Sequence, residues 1–102
     1  MAIVTLSVDA RRDLRAYRGW LRREAGAATA DRWIEALLDW MDALRDFSER
    51  GTPRPDLGPE MRTRVFRRSV TIAYVSKDEA VTILRILARG REITADLFID
   101  DR

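Results

Sequence analysis

Residues 48–60, SERGTPRPDLGPE, hold all three prolines and two of the five glycines of the chain. This segment divides two regions of different apolar spacing. Before it, apolar residues recur at helical intervals; after it come short runs of strand length bounded by turn residues. A proline ring has no N–H and a fixed φ, so neither a helix nor a central strand passes through such a stretch. Too few residues lie on either side for two domains. The segment is therefore a crossing loop inside one domain of 102 residues.

Residues 2–6 are short and β-branched and predict a first strand. Ser7 is placed to cap a helix, with Asp9 in the first turn near the positive end of the dipole. Ala10, Leu14, Tyr17 and Leu21 form one apolar face, and Gly26 supplies the stop. A second helix is expected over 28–47, with Ala30, Ile34, Leu37, Met41 and Leu44 in one stripe and Trp33, Trp40 and Phe47 beside it. Only residues 25–27 separate the two, so they form an antiparallel hairpin. Beyond the crossing loop, strands are expected over 61–66, 70–76 and 81–88, joined by tight turns. The tail offers Ile93, Leu97 and Phe98 to the core, as a short helix or a strand. The order β-α-α-β-β-β gives an α+β fold, an antiparallel sheet packed on a helical hairpin.

The chain has no cysteine and no histidine. That excludes disulfides, thiolate metal sites and nucleophiles, and every catalytic scheme built on imidazole. No metal or cofactor is expected. No apolar run is long enough to span a bilayer, and no signal peptide is legible, so the chain reads as cytoplasmic.

Of 19 basic residues, 18 are arginine and one is Lys77. Codon usage in a GC-rich genome explains such an excess as readily as function does. Arg11, Arg12, Arg15, Arg18, Arg22 and Arg23 fall within about 140° of helical arc, opposite the apolar face. They form either a solvated face or a surface that expects an anionic partner. Asp31, Glu35, Asp39, Asp42, Asp46 and Glu49 make an acidic stripe about 80° wide on the second helix. Its carboxylates diverge, so it reads as a solvated face, not a cation cage. From residue 62 to residue 91, seven arginines and one lysine face only two acids. Arg85 interrupts the apolar run VTILRILA. It is either paired inside or emerges on an open sheet face, and the open face is expected. Arg62, Arg64, Arg67, Arg68, Arg85, Arg89 and Arg91 would then share one cationic side suited to nucleic acid or an acidic protein. GTPRPDLG is not a phosphate loop, because no Lys-Ser/Thr follows it.

Four strings carry a family resemblance: LSVDARRDLRAYRGWLRREAG, ADRWIEALLDWMDAL, the crossing loop DFSERGTPRPDLGPEMR, and VTIAYVSKDEAVTILRILARGREI. In the last, Arg91-Glu92 stands where the family often has Arg-Asp. In order and spacing the chain resembles the ParE branch of the RelE/ParE superfamily, the toxins of bacterial type II toxin–antitoxin modules. The resemblance implies a non-enzymatic toxin that poisons DNA gyrase and is held in a hetero-oligomer by a ParD-like antitoxin. The alternative is ribosome-dependent mRNA cleavage of the RelE type. Such cleavage needs a proton acceptor and donor. The chain offers only Tyr17, on the core face of the first helix, Tyr74, in the middle strand, and no tail tyrosine. A third reading, a nucleic-acid-binding module, is disfavoured because the basic sheet lacks interleaved exposed aromatics. No sequence-specific DNA binding is expected of this chain alone.

Two sets of site residues follow. Arg67, Arg68, Arg85, Arg89 and Arg91 are the expected target-binding surface. Arg11, Arg15, Arg18, Trp20, Trp33 and Trp40 are the expected antitoxin surface. The three tryptophans are either ordinary core or the lining of a groove for an amphipathic antitoxin segment.

Overall fold

The computed structural model describes residues 3–88, 91 and 93–98. The elements are β1 (Ile3–Leu6), α1 (Val8–Ala25), α2 (Ala27–Asp42), α3 (Leu44–Phe47), β2 (Thr52–Pro53), β3 (Met61–Phe66), β4 (Val70–Lys77) and β5 (Ala80–Ala88), with 3₁₀ turns at Ser48–Arg50 and Ala95–Phe98. The sheet has five strands in the order β1-β5-β4-β3-β2. The antiparallel expectation holds from β2 to β5, whereas β1 joins β5 in parallel. This is the α+β layout with two helices on one sheet face.

The local signals operate as elementary chemistry dictates. The Ser7 hydroxyl accepts the Ala10 N–H (3.0 Å) and so satisfies one orphan donor at the start of α1. Gly26 adopts φ 89°, which ends the helix at no steric cost, and its N–H closes on the Arg22 carbonyl at 3.0 Å. The predicted second helix is divided at Ala43. The Asp46 N–H, which a continuing helix would give to Asp42, bonds instead to the Ala43 carbonyl, and Arg45 Nε takes the released Asp42 carbonyl.

Two layers of core result. Ala10, Leu37, Met41 and Leu44 from the helices meet Phe66, Val70, Ile72, Tyr74, Val81, Ile83 and Ile86 from the sheet. On the opposite face, Leu57 of the crossing loop and Ile93 and Phe98 of the tail cover Met61, Ala73, Val75 and Leu84. That face is therefore partly roofed by apolar chain, not open along its length.

The crossing loop holds a short strand, β2, that its prolines concealed. Pro53 lies at the sheet edge, where the ring removes no ladder bond. Tyr74 anchors the loop. Its hydroxyl donates to the Ser48 carbonyl (2.7 Å) and accepts the Gly51 N–H (2.9 Å). A side chain at residue 51 would place Cβ 2.2 Å from that hydroxyl, so only glycine fits. Burial of the phenol raises the Tyr74 pKa, against the lowering effect of the Gly51 N–H and of Arg62 and Arg64.

Candidate functional site

A groove of about 810 Å³ runs between α1 and the far end of the sheet. Ala16, Tyr17, Trp20, Leu21 and Ala25 form one wall; Ser69, Ile86, Ala88 and Arg91 form the other; Thr29 and Trp33 of α2 close it. The same i, i+3, i+4 spacing that makes α1 amphipathic puts Tyr17, Trp20 and Leu21 on one side of it. Tyr17 and Trp20 stack with ring centroids 6.1 Å apart and planes 16° apart. Burial raises the Tyr17 pKa; the Trp33 indole N–H approaches the phenol and counters part of that shift. The approach lacks hydrogen-bond geometry, and the Trp33 Nε1 is buried without an acceptor.

Asp13 also lines the groove, and Arg85 pairs with it from β5. Past the end of β1, the outer edge of β5 has no strand beside it among the described residues. Ser7 covers its first part, with the N–H on Ile83 O and the hydroxyl on Leu84 O, both at 2.9 Å. Asp13 covers the next part, accepting the Ile86 N–H at 2.9 Å. The same carboxylate takes Arg85 Nε at 2.7 Å and Nη2 at 3.0 Å. Arg85 Nη1 reaches the Leu97 carbonyl in the tail at 3.3 Å. The Asp13 hydrogen bond raises the Arg85 pKa, and burial works against it.

This arrangement corrects the expectation for Arg85. It is not on an open cationic face: its side chain is only 16% exposed and Asp13 is 15% exposed. A register shift between Ala73 and Tyr74 makes β5 bulge at Leu84, and the bulge re-aims Arg85 toward α1. The other sheet arginines also divide. Arg62 hydrogen-bonds the Glu49 and Gly51 carbonyls at the loop. Arg64 lies over Trp40 at 4.8 Å, and Arg67 lies over Phe66 at 4.8 Å and Trp33 at 5.3 Å. Arg68 and Arg91 are exposed. Arg89 lies outside the described residues.

The tryptophans divide likewise. Trp33 and Trp40 both pack on Phe66, at 5.4 and 5.1 Å between centroids. Trp33 also lines the groove, whereas Trp20 is 49% exposed at its mouth. Arg11, Arg15 and Arg18 are exposed on α1, and Arg18 pairs with Asp31 of α2 at 3.0 Å. Asp13 and Tyr17 were not among the expected site residues. The signal for Asp13 is its isolation: it is the sole acid between Ala10 and Arg23, as Arg85 is the sole charge in its strand.

Among the described residues, no three acidic side chains converge as a metal site. No helix there is long and apolar enough to cross a membrane.

A search of curated proteins finds no match. Among solved structures, the chain is similar to one from a chromosomal ParDE toxin–antitoxin system of P. aeruginosa, with 22% identity over 88% of this chain and 98% of that one and a TM-score of 0.75. It is more distantly similar to the conserved hypothetical protein HP0894 of Helicobacter pylori, with 13% identity over 89% and 98% of the two chains and a TM-score of 0.46. Residues 4–93 match the family model of the ParE toxin of the parDE type II toxin–antitoxin system. The chain belongs to the ParE family of type II toxins.

Proposed function

We propose that this ParE-type toxin is neutralised by a ParD-like antitoxin seated in the groove between α1 and the sheet end, and that it poisons DNA gyrase by binding, without bond chemistry of its own. The observation that carries the antitoxin half is the groove itself. It is apolar and aromatic, with Trp20 half exposed at its mouth, while arginines populate the solvent side of the same helix. An amphipathic segment with apolar anchors and acidic flanks complements both features. The aromatic anchors supply affinity, and the exposed arginines supply rate and partner choice.

The tyrosines support a non-enzymatic action. The Tyr74 hydroxyl donates to one carbonyl and accepts one N–H, and Tyr17 is held against Trp20 with a raised pKa. Neither is poised to move a proton to or from a phosphodiester. Arg68, with its neighbour Arg67, and Arg91 are the exposed arginines offered to the target, and Arg89 joins them from sequence; Arg85 serves as a brace behind them. Growth of cells expressing the chain, with and without the small open reading frame beside its gene, tests the reading. Arrest with the chain alone and relief with the pair is expected; equal growth in both would count against a toxin. A gyrase target would make the cytoplasm the site of action.

A further inference from the structure

Trp33, Trp40 and Phe47 recur every seven residues, two helical turns, along α2 and α3. Each carries an arginine on its ring. The Arg67 guanidinium lies 5.3 Å from the centre of Trp33, Arg64 4.8 Å from Trp40 and Arg50 4.3 Å from Phe47. The arginines come from elsewhere in the chain: Arg64 from β3, Arg67 from the turn before β4 and Arg50 from the 3₁₀ turn after α3. At about 1.5 Å per residue, the row from residue 33 to residue 47 spans about 20 Å. It runs beside an uncovered sheet edge. β2 pairs only with Arg62 and Thr63, so from Arg64 onward β3 has no outer neighbour among the described residues.

Arg50 and Arg67 are exposed, and Arg64 is half-buried. None of the three guanidiniums has an ion pair among the described residues. The acidic stripe lies elsewhere on the helices. Asp31, Glu35, Asp39 and Asp42 are about 100° or more of helical arc from Trp33 and Trp40, and Asp46 is about as far from Phe47. Glu49 leans on Arg62, at 3.7 Å.

We infer that this row binds single-stranded nucleic acid, with bases stacked on the guanidinium planes and phosphates on their N–H edges. A guanidinium seated on a ring is spent on one face only. Its other face can take a base, and its edge can take a phosphate in two-point contact. The aromatics that the basic sheet lacks in its own sequence are supplied by α2 and α3, and they hold the arginines flat. Stacks of one kind repeated along a line suit a polymer that repeats, since every base has a face to offer. A folded acidic protein suits the row less. Its affinity would concentrate in anchors that fill pockets, and here the arginines cap the rings. Of the row, only Trp33 also lines the groove. A duplex keeps its bases stacked on one another and offers phosphates alone. The inference rests on neither the antitoxin nor the gyrase reading.

Fluorescence anisotropy of a labelled oligothymidylate of about 20 nucleotides, titrated with the full chain, tests this. The oligonucleotide should bind at low salt. Log affinity should fall against log salt with a slope of about −2, roughly −0.7 for each of three phosphates. A duplex of the same length and a polyglutamate of the same charge should each compete about tenfold less well. Arg64→Lys keeps the charge but loses the planar face, and should weaken binding about tenfold. Arg50→Lys, at the exposed end of the row, repeats the test where packing is least at risk. Lys77→Gln removes a charge at the other end of β4, off the row, and should change affinity less than about twofold. Polyglutamate competing as well as the oligonucleotide would make the row an acidic-protein surface, and an equal duplex would make it a phosphate contact; either overturns the inference. So would no binding at low salt, undiminished binding by both lysine variants, or Lys77→Gln weakening binding as much as Arg64→Lys.

Discussion

Asp13 of α1 and Arg85 of β5, 72 residues apart in sequence, meet in a two-point ion pair at 2.7 and 3.0 Å. One carboxylate thereby holds the first helix to the last strand, satisfies the Ile86 N–H on an otherwise unpaired edge and, through Arg85, ties down the tail. The groove has its shape because this brace fixes its two walls.

Removing one partner of such a pair leaves an uncompensated, mostly buried charge. Asp13→Ala should destabilise the fold by about 3 kcal/mol, as should Arg85→Ala. The double substitution Asp13→Leu with Arg85→Leu should recover part of that loss. Urea unfolding midpoints of the three variants measure it. Single variants within a few tenths of a kcal/mol of the parent would show the brace to be inert.

The paired turn residues Arg67 and Arg68 both sit in the left-handed region, at φ 47° and 57°. Stacking on Phe66 and Trp33 holds Arg67 there; Arg68 has no ring contact among those described. Arg68→Gly should therefore raise stability by about 1 kcal/mol, because glycine adopts this conformation freely. If Arg68 contacts the target, the same variant loses toxicity. Thermal unfolding and a growth assay on one variant separate the two effects.

Tyr74→Phe leaves the buried Gly51 N–H without its acceptor and should cost about 1–3 kcal/mol. Both tyrosines have pKa values raised by burial above the ordinary 10. The folded state therefore holds the phenol protons more tightly than the unfolded state. Their contribution is complete below about pH 10 and is lost as pH rises through the folded pKa values. With no histidine in the chain, stability should stay nearly flat from pH 6 to pH 9 and fall above pH 10. Denaturant midpoints across that range check the sign; a fall that began near pH 7 would contradict it.

Much of the fold was legible because its signals are local. The Ser7 cap, the Gly26 stop and β3 fall where the residue pattern places them, and β4 and β5 differ by one residue at an end. The rest depends on contacts between distant residues. Nothing in DWMDALRDF marks Ala43 as a break, since it depends on which donor reaches the Asp42 carbonyl. Arg85 read as exposed because its partner lies in another element and the bulge that turns it is a property of strand pairing. β2 hid behind its own proline. The groove was legible only as an excess of tryptophan; which of the three faces it required the fold.

Trp20 is half exposed at the groove mouth. Trp20→Ala should weaken antitoxin binding by about 2 kcal/mol, roughly thirtyfold, chiefly through faster dissociation. Arg11→Glu or Arg15→Glu should instead slow association, and the difference from the parent should shrink as salt rises. Stopped-flow binding at two ionic strengths distinguishes the two roles. An unchanged association rate at low salt would make the α1 arginines a merely solvated face.

The most direct measurement is supercoiling of relaxed plasmid by purified DNA gyrase in the presence of the purified toxin. Supercoiling should fall with added toxin, recover on addition of the antitoxin, and fall less with Arg91→Ala, since a lost charge-assisted contact is worth about 1.5–3 kcal/mol. Gyrase that supercoils at full rate under saturating toxin, while messenger RNA on programmed ribosomes is cut, would contradict action by binding to gyrase and assign this chain the RelE-type chemistry instead.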